Sequence, residues 1–498
     1  MDLQLLLTEL AEKQVSGNAQ NISISGVVYD PLRVRPGYLY VAINIYTQLD
    51  KIEIPDGHVG VSAAIKNGAT AVVLERDQPV PESIVKILVP DSRYALGRIA
   101  TRFYQFPSQD LNLIAVTGTN GKTTTTHIVE SIFIQKFKVG LIGTLYYKLN
   151  GVIHRSKDTT PEPPDLQEIL RKMADQQFEY CIMETSSHGI EFHRLVGCTF
   201  KVAVFTNLTQ DHLDFHKTME NYLQAKLKLF GWLLPEDYAV VNIDDPAGSK
   251  FVAATRAQVL SYGLSSQAQV RAADVQYHIK GTDYHLITPK GEIDIHTKLV
   301  GKFNVYNALA AVGVALSQNL DLATIKAGLE ASIWVSGRFE LVEKGQPFAV
   351  VVDYAHTPDG VENVLSLAKS LRPNRVITLF GCGGDRDKEK RPIMGETAAR
   401  YSDEIILTAD NPRSEDPLQI IEQIAAGCAL ASVHKIPDRG RAIRYAVNMA
   451  QPGDIVMILG KGHETTQTLK ERTIEFNDRQ QAEEALAERL DLNTKSAS

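Results

Sequence analysis

Apolar residues recur along this chain in short runs of about strand length, and the spacing between the runs changes twice. Residues 1 to about 108 hold "ISGVVYD", "GYLYVAI", "GATAVVLE" and "SIVKILVP", with helical stretches such as "VSAAIKNGA" between them. That alternation predicts a small α/β domain. The opening "MDLQLLLTELAEKQ" reads as a short amphipathic helix. "QFPSQDLN" (Gln105 to Asn112) carries Pro, Ser and Asp and reads as a linker.

From 113 the runs become β-branched and uniformly apolar: "LIAVTG", "KVGLIGT", "YCIMETSS" and "KVAVFTNL". Strands of that kind predict a parallel sheet covered on both faces. After 265 the alternation in "VRAADVQYHIKGTDYHLITPKGEIDIH" predicts antiparallel hairpins at the sheet edge, followed by the helix "NVYNALAAVGVALSQN". A boundary is expected near "IWVSGRFE" (Ile333 to Glu340). Beyond it "FAVVVDYAH", "RVITLFGCGG", "EIILTADNPR" and "DIVMILGKGHE" alternate with helices. That predicts a dinucleotide-fold domain whose polar strand ends converge, because open α/β sheets bind ligands at the carboxyl ends of their strands. The expected fold is therefore α/β in three domains: 1–108, 109–335 and 336–498. The tail "DLNTKSAS" is expected to fray.

Composition narrows the function. The 498 residues suit about three domains, and the balance of 44% hydrophobic to 22% charged residues is that of a soluble globular protein. A net charge of −7 argues against a general nucleic-acid grip. Four scattered cysteines contain no CxxC pair, which points to neither a zinc site nor a disulfide framework and suits a reducing compartment. The N-terminus lacks the basic and apolar regions of a secretory signal. No apolar run reaches the ~18 residues of a membrane span. A cytoplasmic protein is expected.

The chemistry begins at "AVTGTNGKTTTTH" (Ala115 to His127). A strand, a glycine loop and a helix starting near Lys122 would present backbone N–H groups and a helix N-terminus to phosphate oxygens. Lys122 would reach the β- and γ-phosphates, and the Thr123 hydroxyl would hold Mg²⁺. The match to GxxxxGK[ST] is incomplete, since Val116 stands at the first glycine position. "METSSHG" puts Glu184 at a strand's carboxyl end, and "TNLTQDHLDFH" ends the next strand with His212 and two acids. His212 and His216 have zinc spacing, but the neighbouring oxygen donors suit Mg²⁺ better. Lys226 in "YLQAKLKLF" has by itself the look of a surface residue.

Together these motifs resemble the Mur ligases, a family of ATP-dependent amide-forming enzymes, over nearly the whole chain. The resemblance implies an N-terminal uridine-diphosphate domain, a central P-loop ATPase domain and a C-terminal Rossmann-like domain. It implies ATP binding by Gly118, Thr119, Asn120, Gly121, Lys122, Thr123 and Thr124. Asn304 and Asn307 of "GKFNVYNALAA", Arg338 of "SGRFE", and Asp353 and His356 of "DYAHTPD" would join them, Asp353 at the ribose and His356 near the phosphates. It implies Mg²⁺ on Glu184, His212 and a carbamylated Lys226. Thr159, Thr160, Ser186 and Arg194 match contacts to a UDP-MurNAc-dipeptide.

"DNPR" (Asp410, Asn411, Pro412, Arg413) resembles the pattern of members that accept meso-2,6-diaminopimelate. A guanidinium reads a carboxylate in a bidentate way, so Arg413 and Arg386 would hold the acceptor's carboxylates. Glu464, beside Gly460, would hold its distal ammonium. Three features depart from the family pattern. Pro31 and Leu32 replace a serine and an arginine near the uridine site, Phe192 replaces a glutamine, and "INIYTQLDKIEIPDGH" is longer than its counterpart. Two other readings therefore stand: a Mur-fold amide ligase with a different carboxylate donor, and a weakly catalytic nucleotide-binding scaffold. Folylpolyglutamate synthetase shares the ATPase plan but has no reason to keep "DNPR" with "GKGHE". A monomer is expected.

Overall fold

The computed structural model describes residues 1–43, 45–46, 53–54, 56–331, 337–428 and 432–497. Part of the predicted boundary at Ile333–Glu340 and much of the long segment "INIYTQLDKIEIPDGH" lie outside the described residues.

Three main sheets follow one another along the chain. The first has five strands in the order Gln14–Ser16, Val85–Leu88, Ala69–Leu74, Tyr38–Val41, Gly26–Val28, all parallel except the first. The second has eleven strands. Its core is parallel, in the order Val139–Ile142, Tyr180–Glu184, Asn112–Thr117, Val202–Phe205, Tyr238–Asn242, Gln258–Gly263. The predicted antiparallel hairpins Val270–His278, Gly281–Thr288 and Gly291–Thr297 extend one edge. The third sheet has six strands: Glu340–Leu341, Ala349–Asp353, Ile455–Leu459, Val376–Phe380, Glu404–Leu407, Ser432–Lys435.

The strands Val202–Phe205, Val376–Phe380 and Ile455–Leu459 are buried at every residue, as uniformly apolar runs require. The helix Lys302–Ser317 is buried almost all round, because alanines and Gly313 let it settle onto Val240 of the sheet.

Three local expectations need correction. The Gln105–Asn112 linker is packed: Pro107 and Ser108 are buried, and Ser108 Oγ donates to Gly197 O at 3.2 Å. The C-terminal tail continues as helix through Ala497, since "DLNTKSA" contains neither Gly nor Pro to end it. The hairpin Tyr146–Leu149/Val152–Arg155, the strand Ser432–Lys435 and the hairpin Thr466–Thr468/Thr473–Glu475 carry too few apolar residues to stand out in sequence.

Side chains stitch the sheets together. Asp165 accepts from Tyr29 Oη at 2.7 Å and from Arg33 at 2.9 Å, tying the first unit to the second. Val300 and Phe303 of the central unit pack in the core of the third.

Candidate active site

The phosphate loop begins where the strand Asn112–Thr117 ends. Gly118 (φ +149°) and Gly121 (φ +85°) make the turn, and the helix starts at Lys122 as predicted. A Cβ on Gly118 would strike Thr206, and one on Gly121 would strike Asn307. Lys122 Nζ curls over its own loop, donating to Gly118 O at 3.0 Å and Thr119 O at 2.9 Å. Burial holds this amine below its usual range, against the pull of Glu184 and Asp211. Thr119 and Thr124 are buried beside it. Asn304 and Asn307 stand behind the loop: Asn307 Nδ2 donates to Asn304 Oδ1 at 3.1 Å, and Thr125 Oγ1 to Asn307 Oδ1 at 3.3 Å. Asn304 and Asn307 are buried, at 2% and 6% exposure.

Glu184, at the end of its strand, is 1% exposed. Its carboxylate accepts from Thr123 Oγ1 at 2.9 Å, Thr144 N at 2.9 Å and Thr144 Oγ1 at 3.0 Å. Lys226 is 1% exposed, which overturns its surface appearance in sequence. Its Nζ donates to Gly118 O at 3.0 Å and lies 4.4 Å from the centre of the Tyr222 ring. Burial, and then the charge on Lys122, push this amine well below the ordinary lysine range. His212 begins a short helix with φ +53° and is more open, with 37% of its side chain exposed. Among the described residues no three His, Cys, Asp or Glu side chains stand close enough to share an ion.

Thr159, Thr160, Ser186 and Arg194 meet in one place. Thr159 shares a hydrogen bond with Thr144 at 3.0 Å, and Thr160 donates to Glu184 O at 3.0 Å. Ser186 caps the helix Ser187–Glu191 and takes Thr160 Oγ1 on its own N–H. Thr160 and Arg194 have no exposed surface. Arg194 donates to Thr160 O at 2.8 Å and pairs with Asp158 and Glu162. Thr160 and Arg194 are enclosed and brace the segment that Thr159 and Ser186 present.

The third domain faces the phosphate loop with "DYAHTPD". Asp353 accepts from Phe339 N at 2.6 Å and Ala355 N at 2.7 Å, so both carboxylate oxygens hold backbone. Burial raises its pKa, against the charge of Arg338. Arg338 and the His356 and His463 rings surround the Tyr354 ring at 4.6–4.9 Å. Burial pushes His356 down to about 4, with help from Lys390, and His463 down to about 3, with help from Arg338. Arg338 Nε and His463 Nδ1 are buried with no hydrogen-bond partner. Two orphaned polar atoms facing one aromatic ring suit an anionic or hydroxyl-bearing ligand.

The four strand ends of the third sheet converge as predicted. Gly460 N donates to Asp353 O at 3.1 Å, and Gly460 (φ +112°) lies so close to Asp410 that a Cβ would collide with its carboxylate. Asn411 Nδ2 donates to Glu464 Oε2 at 2.9 Å. Arg413, in the left-handed region at φ +51°, points its guanidinium at Gly384 O, 2.9 Å away. Its Nη1 and the Arg386 side chain both lie against Gly383. Pro412 is buried under this loop.

Several contributing residues carried no sequence signal. Lys461 is wholly buried between Asn411 and Glu464. Arg391, wholly buried, ties Gly383 O to Glu415, and Arg439 pairs with Asp478 while donating to Leu459 O at 2.9 Å. Each looks like a solvated charge until packing encloses it.

Comparison with known proteins gives a consistent picture. Residues 116–315 match the Mur ligase middle domain, and residues 337–462 match the Mur ligase glutamate ligase domain. The UDP-N-acetylmuramoyl-L-alanyl-D-glutamate–2,6-diaminopimelate ligase of Bacillus velezensis is 44% identical, over 98% of this chain and 99% of its own. The ligase of the same name from Geobacillus thermodenitrificans is also 44% identical, over 98% and 100%. A solved structure of a ligase with that name superposes with a TM-score of 0.66 at 33% identity, covering 94% of this chain and 95% of its own.

Proposed function

The chain belongs to the Mur ligase family, and from that premise we propose that it is an ATP-dependent ligase joining meso-2,6-diaminopimelate to UDP-N-acetylmuramoyl-L-alanyl-D-glutamate in peptidoglycan precursor synthesis. The observation that carries the acceptor is the gathering of Arg386, Arg413, Asn411 and Glu464 around the convergent strand ends. Two guanidiniums and one carboxylate complement a distal carbon that bears both a carboxylate and an ammonium.

The donor's carboxylate attacks the γ-phosphorus of ATP and releases ADP, giving an acyl phosphate. The acceptor's amine then attacks the acyl carbon, phosphate leaves, and the amine loses a proton. Positioning and charge stabilisation are the enzyme's contribution. Lys122 would leave its own loop carbonyls for the phosphates. Arg338 and His463 would give their unpartnered nitrogens to the nucleotide. Asp353 would contribute chiefly by holding Phe339 and Ala355 in place.

The residues present fit Mg²⁺. Thr123 and Glu184 are already joined, and burial pushes the Lys226 amine well below the ordinary lysine range. Addition of CO₂ to the unprotonated amine, with loss of a proton, would turn Lys226 into an anionic carbamate, which together with Glu184 and His212 would hold the ion. The ion would offset charge on the phosphates.

We place the domain divisions near 108 and 335, matching the change from one sheet to the next. ATP and a nucleotide-sugar substrate suit the cytoplasm. The test is ATP turnover with the UDP-MurNAc-dipeptide and diaminopimelate, lysine or no amine. Product with diaminopimelate alone supports the reading; no product from this dipeptide with any amine overturns it in favour of a different carboxylate donor, the alternative motivated by the altered first domain, where Leu32 is 83% exposed.

A further inference from the structure

Lys461 lies in the first turn after the strand Ile455–Leu459 and has no exposed surface. Its ammonium donates to Glu464 Oε2 at 2.7 Å and to Asn411 Oδ1 at 3.1 Å. Asn411 is the junction of the site. Its Nδ2 donates to the same Glu464 oxygen, its Oδ1 also accepts from Thr468 N at 2.9 Å, and its carbonyl accepts from Gly384 N at 2.9 Å. Arg413 Nη1 reaches that carbonyl at 3.5 Å. Lys461 is thus joined to the carboxylate on one side of the acceptor site and, through Asn411, to the loop that carries the guanidiniums on the other.

We propose that Lys461 is a specificity-determining positioning residue that makes the site demand an acceptor with both a distal ammonium and a distal carboxylate. The proposal rests on the acceptor reading above. An ammonium approaching Glu464 meets a carboxylate whose charge is already offset by an ammonium 2.7 Å away. In a buried setting, like-charge repulsion between the two cations takes back much of what Glu464 offers. An acceptor that brings only the ammonium, as lysine does, gains little. An acceptor with a neighbouring carboxylate gains from Arg413 and Arg386 and meets no net excess of positive charge at Glu464. Removing the Lys461 charge frees Glu464 to hold a bare ammonium, so lysine should benefit relative to diaminopimelate.

The test is calorimetric titration of the full chain, with a non-hydrolysable ATP analogue bound, using diaminopimelate and lysine. Wild type, Lys461→Met, Glu464→Gln and the double variant are compared, with thermal melting of each. The expected result is a Kd ratio in Lys461→Met about tenfold or more closer to parity, with analogue affinity unchanged. In the Glu464→Gln background the same substitution should leave the ratio where it was, because Lys461 acts through that carboxylate. Equal proportional losses for both amino acids in Lys461→Met would overturn the proposal and leave Lys461 as a fold support. If Lys461→Met is too unstable to titrate, Lys461→Arg, which keeps the charge, should leave the ratio near wild type, and a shift toward parity in it overturns the proposal. If wild type binds no diaminopimelate, the acceptor reading itself fails.

Discussion

Asn120 of the phosphate loop donates from Nδ2 to Asp359 Oδ2, 2.9 Å away across the boundary between the second and third domains. Thr209 Oγ1 reaches the same carboxylate oxygen at 3.4 Å. Asp359 stands in the first turn of the helix Pro358–Ser370, so the third domain holds the loop by a helix end.

Asn120→Ala and Asp359→Ala should each raise KM for ATP, and the double variant should add little to either. A hydrogen bond to a charged group contributes about 1.5–3 kcal/mol, so a coupling of roughly 1 kcal/mol or more is expected from a double-mutant cycle in kcat/KM. Strictly additive effects would mean that the contact plays no part in ATP use.

Lys226→Ala should be nearly inactive with its melting temperature little changed. Activity should return in part when a short-chain carboxylic acid is added to the buffer, because the acid replaces the missing carbamate. Lack of rescue at any carboxylate concentration, with ATP still bound, would count against carbamylation.

Arg194→Ala should lower stability more than a surface substitution does. It takes from buried Asp158 and Glu162 the cation they share, leaving Glu162 the Arg93 guanidinium at 3.3 Å, and breaking a buried pair costs about 3–5 kcal/mol. Denaturant unfolding should show this as a lower midpoint. A normal midpoint combined with a raised KM for the dipeptide donor would mean that Arg194 serves the ligand and not the fold.

Stability should fall as pH is lowered from about 6.5 toward 4. An unfolded histidine takes a proton near pH 6.5, whereas folded His356 resists until about 4 and His463 until about 3. Across that window the unfolded chain binds more protons, so stability rises with pH. Melting curves of a His356→Asn, His463→Asn double variant should be flatter than wild type between pH 4.5 and 6.5, read against the window of those two residues. An identical slope would mean that other groups control acid unfolding.

What the sequence by itself determined was local and periodic. Uniform β-branched runs marked the parallel strands, Gly118 and Gly121 marked a turn that only glycine enters without strain, and strand-end clusters such as "DNPR" and "GKGHE" marked the places where ligands meet an open sheet. Burial of charge was decided only by the tertiary structure. Lys226 and Lys461 read as ordinary charged residues in the sequence pattern, and Arg194 and Asp353 stood out only through the family resemblance. Much of their surroundings comes from distant segments, as when Lys226 reaches Gly118, 108 positions earlier, and Lys461 reaches Asn411, 50 positions earlier. A side chain's dielectric surroundings and partners are set by packing between elements, and no periodicity along one element records what another will bring against it.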